Sequence, residues 1–209
     1  MLKYDVIQVG PLFVNCVIVY KDSSGVVFDA GGDAGKIDNI LKLKSIKDII
    51  LVNTHGHFDH IGAVKKLKEL YDTKFLMSKK DEFLLMQASA HSSYFGLGDI
   101  EEPTIDIDLD NSDFIDNNIT EIVIIKTPGH TPGGLSFYLP ELKLLISGDT
   151  LFKQSIGRTD FPYSNYSDLE SSIRELYKLP DETVVIPGHG EFTKIGYEKR
   201  YNDFIKEKQ

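Results

Sequence analysis

The residues best suited to chemistry in this chain are concentrated at positions 54–60, which read THGHFDH. Imidazole and carboxylate groups at this density are typical ligands of zinc, iron or manganese. An apolar run at 49–52 precedes the stretch and predicts a buried strand, and apolar residues at helical spacing over 61–71 predict a following helix. The sequence therefore predicts a metal-binding loop between a strand and a helix, where α/β sheets commonly bind ligands.

Three further candidate ligands also follow apolar runs. His130 follows the run at 122–125, Asp149 follows 144–146, and His189 follows 184–186. The remaining histidine outside the 54–60 stretch, His91, lies in a predicted helix and is interpreted as a surface residue. Glycines beside the strand-end ligands let the backbone bend sharply or come close to a ligand. The strand ends are therefore expected to meet at one site.

The candidate ligand set has seven members: His55, His57, Asp59, His60, His130, Asp149 and His189. A single catalytic zinc uses three or four protein ligands, so this set favours two metal ions over one, and it is unlike a closed structural site. The chemistry of the residues leaves open which ligand binds which ion. Because the set contains no thiolate, zinc, iron and manganese are all candidates, and zinc is the preferred expectation.

Hydrophobic periodicity and turn residues predict alternating strands and helices. Strands are predicted over 4–9, 14–20, 26–28, 48–52, 74–77, 119–126, 135–139, 143–146 and 183–186, and helices over 34–43, 61–71, 80–94, 166–177 and 197–205. Ser167 or Asp168 is predicted to cap the helix at 166–177. The loop at 29–32 is either a plain turn or a backbone shelf beside the metal site. The acidic segment 99–118 is either a solvated surface or a flap over that site.

Composition narrows the classes of function. The 209 residues carry a formal net charge of −9, with a pI near 5.1, which argues against nucleic-acid and anionic-membrane partners. The one cysteine, Cys16, permits no intrachain disulfide and fits a reducing compartment. No signal peptide or membrane-spanning run is visible. We therefore expect a cytoplasmic protein with a small-molecule partner, built as a single domain over residues 1–209.

The order and placement of the ligands resemble the metallo-β-lactamase superfamily, with an HxHxDH motif followed by three single ligands at strand ends. The resemblance implies an αβ/βα four-layer sandwich, an α/β fold in which two sheets face each other beneath outer helices. The metals are then expected at one edge, between the sheets. The implied assignment gives one metal His55, His57 and His130, gives the other Asp59, His60 and His189, and leaves Asp149 to bridge both.

Other motifs are similar to glyoxalase II (hydroxyacylglutathione hydrolase) and its short relatives. They are Asn15-Cys16, Asp29-Ala30-Gly31, TPGHTPG at 127–133, SGDTLF at 147–152 and PGHG at 187–190. YFGL at 94–97 and GRTDF at 157–161 point to the short, single-domain subgroup. Only residues 190–209 follow His189, so the helical C-terminal domain of full-length glyoxalase II is expected to be absent.

The resemblance implies a metal-dependent hydrolase of S-acyl thioesters such as S-D-lactoylglutathione. A hydroxide bridging the two metals attacks the carbonyl, and Asp59 is expected to orient that hydroxide. Full-length enzymes contact glutathione through a lysine and a tyrosine where this chain has Arg158 and Asp160. Arg158 is the candidate substrate-binding residue, because a guanidinium binds a carboxylate bidentately. Asp160 is expected to pair with Arg158, which leaves glutathione specificity open.

Two alternatives stay open at this point. Persulfide dioxygenase-like relatives also carry a GRTDF-like stretch and use a single iron, which here would be bound by His55, His130 and Asp149, with His57 off the metal. A non-catalytic metal-binding domain that kept the ligands is the other alternative. A β-lactamase fits less well, because many of those have a cysteine where this chain has Asp149.

Overall fold

The computed structural model describes residues 1–115 and 117–206 and contains two large β-sheets. The first sheet has, in spatial order, β1 (Lys3–Val9), β2 (Val14–Lys21), β3 (Ser24–Phe28), β4 (Asp48–Val52), β5 (Phe75–Met77) and β6 (Ile107–Asp108). Strands β1 to β3 pair antiparallel, and β3 to β6 pair parallel. The carboxyl ends of the parallel strands therefore lie at one edge of this sheet.

The second sheet is formed by the C-terminal half of the chain. Its strands, in sequence order, are β7 (Val123–Lys126), β8 (Leu135–Leu139), β9 (Leu144–Gly148), β12 (Val184–Pro187) and β13 (Thr193–Lys194), and they lie in the spatial order β13-β12-β9-β8-β7. Strands β9 and β12 pair parallel, so both end at the same edge. A separate small hairpin consists of β10 (Leu151–Phe152) and β11 (Ser155–Ile156).

Helices connect the strands on the outer faces. They are α1 (Ala34–Leu43), α2 (Phe58–Ile61), α3 (Val64–Tyr71), α4 (Glu82–Leu85), α5 (Ala88–Tyr94), α6 (Tyr166–Leu176) and α7 (Ile195–Tyr201). Short 3-10 turns lie at Lys79–Asp81 and Pro140–Leu142. Every helix in the described part of the chain is too short or too polar to cross a lipid bilayer.

The layering follows from the alternation of side chains along each strand. On β2, Val17 and Val19 pack between the two sheets, whereas Ile18 packs with α1 and α3. On β9, Ile146 packs between the sheets, whereas Leu145 packs with α6. Both faces of each sheet are therefore buried, which explains why the strands read as continuous apolar runs. The predicted αβ/βα sandwich is confirmed.

The helix predicted over 61–71 is wrong at its start. A one-turn helix, α2, begins at Phe58, and the chain breaks at 62–63 before α3. A Cβ at Gly62 would lie 2.6 Å from the Gly31 carbonyl oxygen, and Ala63 N–H donates to the Ala30 carbonyl at 2.8 Å. The segment at 58–63 is therefore pressed against the loop after β3. Asp59 and His60 consequently lie on a helical turn, and not on a loop as predicted.

Several other predicted boundaries differ. The helix predicted over 80–94 is interrupted between α4 and α5, the strand predicted over 119–126 is regular only from Val123, and the last helix is α7 and not 197–205. The cap of α6 is Asn165, whose Oδ1 accepts from the backbone N–H groups of Ser167 and Asp168. The short strands β6, β10, β11 and β13 were not predicted, because each has too few residues to show an alternation of apolar and polar side chains. The single-domain boundary at 1–209 stays a prediction, and residues 207–209 lie outside the described residues.

Packing between the sheets gives the first prediction. Phe28 and Phe137 are fully buried, with ring centroids 5.1 Å apart. We expect Phe137→Ala to lower the free energy of unfolding by about 3–5 kcal/mol, because it removes a core ring and leaves a cavity. Urea denaturation at one fixed metal content measures this. Phe204→Ala, at a side chain 57% exposed, is the control and should change it by less than about 0.5 kcal/mol. Equal losses would contradict this packing.

Candidate metal centre

All seven predicted ligands lie together at the edge where the strands of both sheets end. His55 and His57 follow β4, and His130 follows β7. Asp149 follows β9, and His189 follows β12. The short helix α2 adds Asp59 and His60. The fold therefore gathers side chains from four strand ends at one place.

The first group consists of three imidazoles. His55 Nε2 lies 2.9 Å from His57 Nδ1, and His130 Nε2 lies 3.0 Å from the same atom. One ring nitrogen from each histidine thus points at a common centre. Nitrogen atoms about 3 Å apart are spaced as ligands around one ion bound at about 2.0–2.1 Å.

The second group consists of Asp59, His60 and His189, whose donor atoms also lie within 4.8 Å of one another. Asp59 Oδ2 lies 3.2 Å from His189 Nε2 and 3.8 Å from His60 Nε2. The Asp149 carboxylate lies between the groups: its Oδ1 is 3.6 Å from His60 Nε2, and its Oδ2 is 3.6 Å from His130 Nε2. One carboxylate thus reaches both groups.

Fixed acceptors orient two of these imidazoles from outside. His130 Nδ1 lies 2.9 Å from the Arg158 carbonyl oxygen, and His189 Nδ1 lies 2.9 Å from the Leu12 carbonyl oxygen. A carbonyl only accepts, so each Nδ1 carries the proton and each Nε2 turns a lone pair toward the centre. Outer partners of this kind set the tautomer of metal-binding histidines.

Asp29 is a buried residue whose side-chain role the sequence did not reveal. Its Oδ2 lies 3.2 Å from His60 Nδ1 and accepts the Thr54 hydroxyl proton at 2.9 Å. The Thr54 oxygen lies 3.1 Å from His55 Nδ1, so it accepts from that ring. One carboxylate thus orients two imidazoles. The sequence predicts either a plain turn or a backbone shelf for the loop after β3, and so no role for the Asp29 side chain. A buried acidic residue at a strand end was the available signal for such a role.

Asp81 is a second residue that the sequence did not reveal. This fully buried carboxylate accepts from Gly56 N–H at 3.0 Å, from Gly133 N–H at 2.6 Å and from the Thr131 hydroxyl at 2.7 Å. It therefore ties the loop that carries His55 and His57 to the turn that carries His130. Its position inside a predicted helix concealed this role, because the partners are distant in sequence.

The residues fit divalent cations. His60 Nε2 and Asp149 Oδ1 are buried and lack a hydrogen-bond partner among the described residues, an arrangement that is costly unless another group satisfies them. Burial, reinforced by neighbouring histidines, holds the pKa of His55 and His57 well below the usual value, so both are neutral ligands. Burial alone would raise the pKa of Asp59, but His60 and His189 lower it, so it is ionised.

A proton on the His60 ring competes with a cation for the neighbouring carboxylates. Burial lowers its pKa, but Asp29, Asp59 and Asp149 outweigh that effect and raise the pKa to about 10. Without an ion, the ring therefore holds a proton among the carboxylates. The Gly188 backbone packs closely against this centre, because a Cβ at that position would lie 2.2 Å from Asp149 Oδ1. A side chain at position 188 would therefore displace the Asp149 carboxylate.

A cavity of about 700 Å³ opens above the centre, with His57, Asp59, His130 and Asp149 in its lining. One wall contains Phe58 stacked on Phe95, with ring centroids 5.8 Å apart. The lining also contains a second aromatic cluster, formed by Phe161, Tyr163 and Phe83. The ligands are therefore reached through an aromatic passage.

The cavity tests three interpretations made from the sequence. His91 lines it and is half-buried, so its interpretation as a surface residue is only partly right. The described residues of 99–118 form β6 and its flanks and do not line it, which contradicts the flap for that part; Asp116 lies outside the described residues. Arg158 also lines the cavity, and its Nε and Nη2 each lie 2.6 Å from an Asp160 oxygen, which confirms that pair.

Comparison with known proteins places this chain in a family. A sequence profile of the Metallo-beta-lactamase superfamily matches residues 9–189. The hydroxyacylglutathione hydrolase GloC of Haemophilus influenzae is 36% identical, with 99% of this chain and 100% of that protein covered. The chain therefore belongs to the metallo-β-lactamase superfamily, whose members are hydrolases with histidine-rich metal sites, and the predicted family is confirmed.

Solved structures agree with this family. The BLEG-1 B3 metallo-beta-lactamase superposes with a TM-score of 0.91 at 34% identity, covering 97% of this chain and 99% of that one. The di-iron-bound form of TTHA1623 superposes with a TM-score of 0.87 at 32% identity, covering 96% of this chain and 100% of that one. Both proteins thus share the fold of this chain over nearly its whole length.

The Asp81 contacts give the second prediction. We expect Asp81→Ala to lower the free energy of unfolding of the metal-free protein by about 3 kcal/mol or more, because it leaves buried N–H donors unpaired. Chemical denaturation in a strong chelator measures this. Asp203→Ala, at an exposed position, is the matched control and should be nearly neutral. A neutral effect of Asp81→Ala would show that the two loops hold together without it.

Proposed function

We propose that this protein is a two-metal hydrolase of S-acyl thioesters such as S-D-lactoylglutathione. The observation that carries the proposal is the position of Asp149, whose carboxylate lies between a three-histidine group and an Asp-His-His group. A carboxylate that reaches both groups could hold two cations side by side, and two neighbouring cations are what two-metal hydrolysis uses. The similarity to GloC, named a hydroxyacylglutathione hydrolase, supports the thioester as substrate.

We propose that each group holds one divalent cation. His55, His57 and His130 would hold the first, Asp59, His60 and His189 the second, and Asp149 both. When bound, such ions polarise an acyl carbonyl and lower the pKa of water. Zinc is our first expectation from the nitrogen and oxygen donors. The di-iron form of TTHA1623 makes iron the main competitor, with manganese a further candidate.

The chain itself supplies orientation and a shielded passage. Asp59, ionised and partly open to the cavity, accepts a hydrogen bond from the attacking water and so aims it at the carbonyl. The aromatic walls exclude bulk water from the reacting carbonyl. A thiolate leaves readily, so the reaction needs no strong acid from the protein. Asp59 and Asp149 are therefore the residues to which we assign catalytic roles.

Arg158 is the proposed contact to the substrate outside the metal centre. Its guanidinium lies 4.3 Å from the Phe161 ring centroid, at the wall of the cavity. Asp160 occupies two of its nitrogens, so a substrate carboxylate has to use the remaining edge or displace Asp160. We therefore propose that Arg158 binds a glutathione carboxylate more weakly than an unpaired guanidinium would.

Two other reactions compete with this proposal. The persulfide dioxygenase alternative leaves His57 off the metal, yet His57 Nδ1 lies about as close to His55 as to His130, inside the ligand group. That position favours the hydrolase. β-Lactam hydrolysis is favoured by the structural likeness to BLEG-1, a B3 metallo-beta-lactamase. The cytoplasmic location and the small-molecule partner stay predictions.

The first experiment measures S-D-lactoylglutathione hydrolysis by purified protein of known metal content. We expect turnover that needs about two ions per chain, is lost after chelation and returns with zinc. Asp149→Ala should lower kcat/KM by about 100-fold or more, because it removes a direct ligand and outer partners alone contribute about 10–100-fold. Asp48→Ala, at an exposed aspartate at the start of β4, is the matched control.

The contrary outcomes are distinct. One iron per chain with oxygen consumed on glutathione persulfide would replace the hydrolase with the dioxygenase. Hydrolysis of a chromogenic cephalosporin without thioester turnover would replace the substrate class. Two bound ions with no turnover of any of these substrates would leave a metal-binding domain without this chemistry.

A further inference from the structure

The outer partner of His57 differs from those of the other histidines at the centre. The rings of His130 and His189 face backbone carbonyls, and those of His55 and His60 lead to the buried Asp29. Carbonyls and carboxylates accept hydrogen bonds and have no proton of their own to donate. His57 turns Nδ1 toward the ligand group, and its Nε2 lies 2.8 Å from the Tyr163 hydroxyl, which lines the cavity.

The protonation of the His57 ring determines the direction of its hydrogen bond with Tyr163. If Nδ1 of His57 is a ligand, it carries a lone pair, and Nε2 therefore carries the proton. Nε2 then donates to the Tyr163 oxygen. The Tyr163 hydroxyl also has one proton of its own. Within residues 1–115 and 117–206 this hydroxyl makes no other hydrogen bond. The Tyr163 O–H is therefore left for an acceptor in the cavity.

The ring of Tyr163 is held in place by its neighbours. Phe161 stacks on it with centroids 5.3 Å apart and planes inclined by 13°, and Phe83 meets its edge at 5.3 Å. The Tyr163 side chain is only half-buried. Its hydroxyl contacts His57, which belongs to the three-histidine group. This packing does not depend on the oxygen, so replacing Tyr163 with phenylalanine isolates the hydroxyl.

We propose that Tyr163 is a positioning residue for His57 and also donates its O–H to the thioester in the cavity. The first role follows from the bond to Nε2, which fixes the ring so that Nδ1 faces the three-histidine group. The second role rests on the proposed function, since it requires the substrate to present a carbonyl oxygen or sulfur beside His57. No proton is transferred; the O–H strengthens its hydrogen bond as charge develops on the acceptor.

Tyr163→Phe tests both roles. For the first, chelator competition with zinc should show one of the two binding steps weakened by about 10–100-fold, the range for loss of an outer partner. The other step should be unchanged, because the Asp-His-His group keeps its partners. Tyr166→Phe, at a half-exposed tyrosine at the start of α6, is the matched control and should leave both steps unchanged. Thermal unfolding checks that each variant is folded.

For the second role, turnover is measured with both sites saturated by zinc. We expect Tyr163→Phe to lower kcat by about ten-fold or more with little change in KM, because the donor acts mainly in the transition state. A fall in activity that disappears at saturating zinc would overturn the donor role and keep the positioning role. Unchanged zinc affinity would overturn the positioning role.

The outcome separates this inference from the proposed function. If the wild-type protein binds two ions but hydrolyses no thioester, the proposed function and the donor role both fail. Chelator competition then still decides the positioning role. If wild-type turnover is present and Tyr163→Phe matches wild type in zinc affinity and in kcat, the proposed function stands and this inference is wrong.

Discussion

The structure depends on one constraint: polar ligand side chains have to be held near the edge of a core that is otherwise apolar. An unpaired buried polar group is costly, so each ligand needs a partner on its outer side as well as on its inner side. Outward, the imidazoles meet carbonyls, the Asp29 carboxylate or the Tyr163 hydroxyl. Inward, the lone pairs and carboxylates converge, and cations would complete the pairing.

The four-layer sandwich provides the rigidity that this convergence needs. Both faces of each sheet are packed, so the strand ends that bear the ligands have fixed positions. Asp81 then joins two of the ligand loops by direct hydrogen bonds. The glycines complete the arrangement where backbone passes close to a ligand, as Gly188 does beside Asp149. The positions of the candidate ligands are thus set by packed strands and helices and by the hydrogen bonds of the turns that follow them.

The electrostatics of the centre separate two kinds of ligand. In the three-histidine group, His55 and His57 are neutral, because burial and neighbouring histidines lower the pKa of both rings. The second group carries the anionic charge of Asp59, with Asp149 alongside. The two groups therefore differ in composition, three imidazoles against two imidazoles and a carboxylate, and the Asp149 carboxylate lies between them. Access is from the aromatic passage, whose one guanidinium, at Arg158, is already paired with Asp160.

The sequence by itself determined the elements whose signals are local. The β-strand and helix pattern and the ligand set were readable because apolar runs, periodicity and the HxHxDH spacing are short-range features. The αβ/βα class came from the family resemblance that these motifs carry. The interrupted helix at 58–71 and the cap at Asn165 were not, because contacts with the loop after β3 and the local turn geometry override propensity.

Only the tertiary structure decided which distant residues support the ligands. Asp29, Asp81 and Tyr163 act on His55, His57 or His60 across 25 to 106 positions of sequence. Local sequence placed Asp29 at a strand end but identified no partner for any of the three, because an aspartate or tyrosine has the same propensities wherever it lies. Their roles arise from where the packed sheets place them. The sequence identified the candidate ligands, and the fold supplied the groups that orient them.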